Sequence, residues 1–270
     1  MIGFRSRPTG RFGNHLYQYY FLNKIAIQLD SETFHTKFLG NELFEGFGPK
    51  WINYAESILR PAHIIDYQNY AEMSWNDFLN AAAEIQKNSR AIILPTGRLD
   101  WFFYENQPED ASEIIKFRKK ANDKKNMNQK TIAIHFRGGD FVSLRPDMVL
   151  PQKYYQEAIE YLKEDGILEY SKIVLYTDDP YHPTVNNLLA QYDITLNKDE
   201  KYIDAFKEMI ESDVLISSNS TFSYWGGVLG RKKKVIHSKD WINKEINRGD
   251  KFWVPVRDKR CNFLRDFVEI

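Results

Sequence analysis

The chain has 270 residues, of which 43% are hydrophobic and 27% are charged, so it can bury a large core and is not a disordered chain. Its 37 basic and 37 acidic residues give a formal net charge of zero, which argues against nucleic acid as a partner. The only cysteine, Cys261, excludes an internal disulfide.

The first residues contain no apolar stretch of the kind found in secretion signals, and no run of about 18 apolar residues occurs in the chain. We therefore expect a soluble cytoplasmic protein, either free or peripheral to a membrane, with no integral membrane segment.

The first half of the chain has an irregular apolar pattern. A Gly-rich segment over residues 5–13 precedes a predicted helix, and we then predict a helix over Phe78–Lys87, a strand over Ala91–Leu94 and an amphipathic helix over Asp110–Lys120. The polar segment Lys119–Lys130 has no apolar periodicity and is the best linker candidate. We therefore predict one domain over residues 1–128 and a second over residues 129–270.

The second half alternates strands with helices. Strands are predicted over Thr131–Ile134, Ile173–Tyr176, Val214–Ser217 and Lys234–His237, with helices over Tyr154–Leu162, Thr184–Gln191, Tyr202–Glu211 and the residues after Asn219. This alternation indicates a parallel, doubly wound sheet, in which ligands bind at the carboxyl ends of the strands.

The first polar cluster, Gly10-Arg11-Phe12-Gly13-Asn14, precedes the first predicted helix. Glycines permit close backbone approach, and the N-terminus of a helix presents unpaired N–H groups to an anion. An ordinary tight turn with Asn14 as a helix cap remains an alternative reading.

The second cluster, His135-Phe136-Arg137-Gly138-Gly139-Asp140, follows the predicted strand over Thr131–Ile134. Strand alternation places His135 and Arg137 on one face, and the planar guanidinium of Arg137 suits a phosphate oxygen. We expect the two glycines to let the backbone approach a ligand and Asp140 to orient Arg137. The alternative is a structural histidine beside an Arg–Asp pair.

The third cluster runs from Ser217 to Gly227 and includes Ser218, Asn219, Ser220, Thr221 and Phe222. Hydroxyl groups and free N–H groups at a helix start form a neutral anion site, whereas a simple helix cap explains only Ser220 or Thr221. Asp178, at another strand end, either contacts a ligand hydroxyl or caps a turn. Since we find no cluster of metal ligands, we expect no metal and no other cofactor.

Together these clusters resemble the α-1,2-fucosyltransferase family (glycosyltransferase family 11). The stretches GRFGNHLYQYY, GRLDWFFYEN, IAIHFRGGDFV, YTDDP and SSNSTFSYWGGVLG resemble the family's motifs in the same order. The first stretch also resembles the opening of protein O-fucosyltransferases. The resemblance spans most of the chain except roughly residues 31–90.

The resemblance implies an α/β fold of the GT-B type, with two Rossmann-like halves and a cleft between them. It implies inverting transfer of L-fucose from GDP-fucose to a glycan acceptor, with an α-1,2 link to a galactose-like residue. The N-terminal domain would then serve the acceptor and the C-terminal domain the donor. Arg137, His135 and Asn14 would be catalytic. The donor would be bound by Gly10, Arg11, Phe12, Gly13, Asp140, Asp178, Ser218, Asn219, Ser220, Thr221 and Phe222.

Two positions depart from the family pattern. Gly138 stands where the family has a second arginine, and His15 stands where it has glutamine. Arg11 or Arg145 is a candidate to replace the missing positive charge. The departures leave two alternatives open, namely a relative that uses another sugar nucleotide and an inactive protein that binds a nucleotide or glycan.

Overall fold

The computed structural model describes residues 1–4, 7–51, 62–65, 73–89, 91–94, 111–118, 130–198, 201–230, 234–238 and 267–269. The chain divides into two compact units, Met1–Lys119 and Lys120–Ile270. The predicted linker lies outside the described residues except for Lys130, which begins a strand, and so does the predicted boundary at residues 128/129. Each unit has its own parallel sheet.

The first unit has a sheet of four parallel strands in the order β2-β1-β4-β3. The strands are β1 (Ile2–Phe4), β2 (Thr33–Phe34), β3 (Ala62–Ile64) and β4 (Ala91–Leu94). The described helices are α1 (Phe12–Gln28), α2 (Trp75–Asn88) and α3 (Ala111–Ile114).

Helix α1 and the irregular segment after β2 form an aromatic core. Phe38, Phe44 and Phe47 are fully buried, and the ring of Tyr19 on α1 lies 3.9 Å from that of Phe47. Such ring pairs add stability beyond the area they bury. Aromatic packing therefore orders a segment whose apolar residues have no regular spacing.

The predicted helix over Asp110–Lys120 is confirmed over Ala111–Ile114 and wrong over residues 115–118, while its remaining three residues lie outside the described part of the chain. Helix α3 ends at Ile114, and Phe117 instead forms an antiparallel bridge with Phe44. The backbone of Lys116 accepts from Glu45, that of Arg118 donates to Leu43, and the rings of Phe44 and Phe117 lie 4.9 Å apart. Aromatic packing and strand-like hydrogen bonds outweigh the local helical pattern here.

The second unit has a sheet of six parallel strands in the order β10-β9-β8-β5-β6-β7. The strands are β5 (Lys130–Phe136), β6 (Ser171–Thr177), β7 (Ile194–Leu196), β8 (Val214–Ile216), β9 (Lys234–His237) and β10 (Phe267–Glu269). The helices are α4 (Gly139–Leu144), α5 (Gln152–Glu164), α6 (Pro183–Gln191), α7 (Tyr202–Glu211) and α8 (Thr221–Leu229), with 3₁₀ turns at Pro146–Met148 and Leu168–Tyr170.

Strand β5 lies at the point where the chain reverses its direction across this sheet. From β5 the chain adds β6 and β7 on one side and then returns to add β8, β9 and β10 on the other. This is the strand order of a Rossmann sheet, and such sheets bind ligands at the carboxyl ends of the two strands that flank the reversal. The fold therefore predicts a ligand site at the carboxyl ends of β5 and β8.

Residues of β5 alternate between the two faces of the sheet. Ile132, Ile134 and Phe136 pack with buried residues of α5 and α6, whereas Ala133 packs on the opposite face near Met209 of α7. His135 and Arg137 follow Ala133 at intervals of two and so share its face.

The predicted strands and helices of the second half are confirmed, with ends shifted by a few residues. The strands β1, β2, β3, β7 and β10 were not predicted; each has two or three residues, too few for a periodic pattern. Among the helices that the structure describes, none is long and apolar enough to span a lipid bilayer.

Candidate functional site

Two hydrogen-bonded side chains connect the ends of β5 and β8. His135 Nδ1 lies 2.6 Å from Ser218 Oγ, and both residues are buried. The register pairs Ile134 with Ile216, so His135 and Arg137 on one strand stand beside the hydroxyl-rich turn that follows the other. The second and third predicted clusters therefore form one site at the reversal point of the sheet.

His135 is a neutral imidazole in this site. Burial, and secondarily the positive charge of Arg137, lower its pKa to about 3. The ring also packs on Phe222 at a centroid distance of 5.4 Å. His135 can donate or accept a hydrogen bond at neutral pH, but it cannot supply positive charge to an anion.

Arg137 is the buried cation of the site. Its side chain is 10% exposed, and its guanidinium forms ion pairs with Asp140 and Asp178. The guanidinium carbon lies 4.7 Å from the centre of the Phe141 ring. Two carboxylates and an aromatic face thus hold the guanidinium in place, and each of its terminal nitrogens pairs with one carboxylate.

Asp178 connects β6 with the glycines that follow β5. Its Oδ1 accepts from the backbone N–H of Gly138 at 3.0 Å, while its Oδ2 pairs with Arg137. A Cβ atom at Gly139, where φ is +43°, would lie 2.3 Å from Asp178 Oδ2. A Cβ at Gly138 would lie 2.8 Å from Asp179 Cβ. These glycines therefore leave room for two carboxylates, and the predicted approach of a ligand stays a prediction.

The turn after β8 leads directly into helix α8. Ser220 caps this helix, since its Oγ accepts from the N–H of Phe222 at 3.3 Å. Ser223 Oγ accepts from the N–H of Ser218 at 3.2 Å and so closes the turn. The cap already takes the N–H of Phe222, and the carbonyl of Ser218 accepts from the N–H of Ser220 at 2.7 Å. Helix α8 therefore attracts an anion through the positive end of its dipole.

Asn219 carries a buried acceptor in the same turn. Its side chain is 3% exposed, and its Oδ1 has no hydrogen-bond partner among the residues that the structure describes. An unsatisfied buried acceptor costs about 1–3 kcal/mol, and a donor on a bound ligand would remove that cost.

Sequence reasoning missed a second Ser–His pair beside the first. Ser217 Oγ lies 2.7 Å from His237 Nδ1 at the end of β9, and the Tyr154 hydroxyl donates to the Ser217 carbonyl at 2.9 Å. All three residues are buried. A polar residue that closes an apolar strand is the signal that could have identified His237.

The Gly10–Asn14 cluster belongs to the first unit and follows β1. Gly10 has φ of +81°, and a Cβ there would lie 2.2 Å from Asn14 Nδ2. Phe12 and Gly13 are buried in the first turn of α1, whereas Arg11 is exposed at its N-cap. The cluster is therefore a tight turn with the amide of Asn14 packed against it.

The candidate replacement Arg145 already has a partner. Its Nε and Nη2 donate to the two carboxylate oxygens of Asp147 at 3.2 and 3.0 Å. The described residues contain no group of three or more His, Cys, Asp or Glu side chains that could hold a metal ion.

Known proteins resemble this chain in fold rather than in sequence. Comparisons with protein-family profiles and with curated proteins gave no match. POFUT1 in complex with GDP aligns with a TM-score of 0.54 and 13% identity, over 87% of this chain and 96% of that one. POFUT1 in complex with GDP-fucose aligns with a TM-score of 0.50 and 13% identity, over 86% and 95%.

NodZ alpha-1,6-fucosyltransferase co-crystallised with GDP also aligns with this chain, with a TM-score of 0.50 and 13% identity over 85% and 92% of the two chains. Sequence identities this low support a similarity of fold and nothing more specific. The predicted α/β fold of the GT-B type, with parallel sheets, is therefore confirmed.

Proposed function

We propose that this protein transfers L-fucose from GDP-fucose to a hydroxyl of a glycan acceptor, with inversion and without a metal ion. The observation that carries the proposal is Arg137, a buried guanidinium oriented by two carboxylates at the reversal point of a Rossmann sheet. A cation in that place suits a diphosphate at the neighbouring helix start.

The choice of GDP-fucose rests on two further supports. The three solved structures named above hold GDP or GDP-fucose. The order of the sequence motifs is that of fucosyltransferases. An α-1,2 link to a galactose-like residue rests on the sequence resemblance.

In the proposed reaction the bond between fucose C1 and the β-phosphate oxygen breaks, and its electrons remain on GDP. The acceptor oxygen bonds to C1 from the opposite face and releases its proton late, to solvent water. Arg137 and the positive end of the α8 dipole stabilise the negative charge that develops on GDP, and electrostatic stabilisation of this kind is usually the largest contribution to catalysis. The reaction therefore needs little assistance from a general base.

Other residues of the site bind and orient the donor. His135, which is neutral, hydrogen-bonds a phosphate or sugar oxygen, and the Ser218–Phe222 turn cradles the diphosphate. The Asn219 Oδ1 accepts a hydrogen bond from a donor group of the ligand. The sequence resemblance also implies a role for Gly10–Asn14 of the first unit, through main-chain donors and the Asn14 amide.

A nucleotide screen by thermal shift and calorimetry tests this proposal. GDP, UDP, CMP and their sugars are compared in the presence of EDTA, and transfer from labelled GDP-fucose to galactose-terminated oligosaccharides is followed by mass spectrometry. We expect stabilisation by GDP and GDP-fucose alone and a product one deoxyhexose heavier. Absence of a response to any nucleotide would favour an inactive binding protein.

A second candidate is a transferase that uses a different sugar nucleotide. The space beside Gly138, where the family has an arginine, is filled by Asp179, so a carboxylate adjoins the position of a lost positive charge. A preference for UDP or CMP over GDP in the same screen would favour this candidate.

A further inference from the structure

His15 on α1 holds two separate backbone segments together. Its Nδ1 accepts from the N–H of Leu39 at 2.9 Å, and its ring also hydrogen-bonds the carbonyl of Gly10. The residue is buried, with 6% of its surface exposed, and packs edge-on against Phe38. The imidazole thus connects the turn before α1 to the segment that follows β2.

The hydrogen bond from Leu39 defines one tautomer. A ring nitrogen that accepts carries no proton, so the proton of the neutral ring resides on Nε2. Burial lowers the pKa of His15, and the Gly10 hydrogen bond opposes that shift in part. Protonation would place a second N–H against the Leu39 amide and break the contact.

Gln18, one turn further along α1, anchors the residue before Gly10. Its Oε1 accepts from the N–H of Thr9 at 3.1 Å, and its Nε2 donates to the carbonyls of Thr9 and Asn14 at 2.8 and 3.1 Å. Gln18 is 4% exposed. The Gly10–Asn14 turn is therefore bound from one side by Gln18 and from the other by His15.

We propose that neutral His15 is a positioning residue, which places Gly10 and Asn14 for their part in sugar transfer. The inference rests on the function proposed above for that turn. His15 acts through the backbone of Gly10 and Leu39 and does not touch the reacting atoms. Glutamine, which also offers one acceptor and one donor, can take over this role, whereas leucine cannot.

The ionisable groups around His15 are few. Arg11 is the N-cap residue of α1, and Lys37 is two residues from Leu39. Tyr19, one turn after His15, and His35 both pack against the Phe38 ring, at 5.3 and 4.8 Å. Replacing His15 by glutamine removes its titration and leaves these four groups in place. The comparison of wild type with His15→Gln therefore isolates the proton on His15.

The test combines amide hydrogen exchange with turnover for the wild-type protein, His15→Leu and His15→Gln. We expect the Leu39 amide to exchange about tenfold faster in His15→Leu, as for the loss of one hydrogen bond. His15→Gln keeps the protection of that amide. Turnover of GDP-fucose falls about tenfold in His15→Leu and is retained in His15→Gln at neutral pH. In wild type the turnover also falls at acid pH, and this fall is absent from His15→Gln.

Unchanged Leu39 exchange in His15→Leu would overturn the proposal, and so would full turnover in that variant. If His15→Leu does not fold, identical acid limbs for wild type and His15→Gln would overturn it instead. If wild type neither binds GDP nor turns over GDP-fucose, the proposed function fails, while the exchange of Leu39 still decides whether His15 holds the start of α1 to the segment after β2.

Discussion

The carboxylate of Asp178 pairs with the guanidinium of Arg137 and also accepts from the amide next to it in the chain, that of Gly138. One side chain at the end of β6 thus fixes both the cation at the end of β5 and the backbone that leads into α4. The resemblance to fucosyltransferases implied a contact between Asp178 and the nucleoside, and that role stays a prediction. The contacts seen here give Asp178 a role in orienting Arg137.

Asp178→Ala should destabilise the protein by about 1–2 kcal/mol, because a buried guanidinium loses one of its two carboxylate partners. The expected loss of stability is modest because the Asp178 side chain is 32% exposed and partly screened by solvent. Chemical denaturation of wild type, Asp178→Ala, Arg137→Ala and the double variant measures the coupling. Strictly additive effects would contradict a direct pair.

Gly139→Ala should weaken GDP binding about tenfold, because the added Cβ displaces the Asp178 carboxylate that orients Arg137. Gly166→Ala is the matched control. Gly166 has φ of +66° but no atom within 4 Å of a Cβ added there, so it carries the backbone strain without the contact. Calorimetry with GDP compares the two, and equal affinity in both variants would count against the role assigned to Gly139.

His135 should remain neutral as pH falls, because its pKa is lowered to about 3. A histidine with a lowered pKa stabilises the fold in its neutral form, fully above 6.5, and that contribution is lost as pH falls toward the folded value. NMR of ¹⁵N-labelled histidine reports both the protonation state and the tautomer.

Ser218→Ala should change the His135 spectrum, because it removes the hydroxyl 2.6 Å from Nδ1. Ser217→Ala is the control, since its hydroxyl contacts His237 instead. A His135 signal that titrates with an ordinary histidine pKa, or that responds equally to both serine variants, would refute this description of the site.

Local patterns were sufficient to predict most of the second unit. β-Branched runs marked β5 and β6, and the spacing of Arg137 and Asp140 predicted their pairing, which the structure confirms. These features arise from residues close together in the chain. Helical spacing likewise identified α5 and α7 to within two residues.

Contacts between strands could not be read from the sequence. His135 and Ser218 are 83 residues apart, and only the position of β8 beside β5 brings them together. The same holds for Ser217 with His237 and for Asp178 with Gly138. Strand order and register are set by the tertiary fold, so the hydrogen-bonded side-chain pairs that complete the site depend on that fold.

The central claim is that Arg137 binds the diphosphate, and GDP affinity measured by calorimetry in EDTA tests it most directly. Wild type, Arg137→Ala and Arg145→Ala are compared, because Arg145 is an arginine of the same unit already bound to Asp147. We predict that Arg137→Ala weakens GDP binding by about 2 kcal/mol or more, roughly thirtyfold, and that Arg145→Ala changes it little. GDP affinity that is the same in wild type and Arg137→Ala would contradict the account.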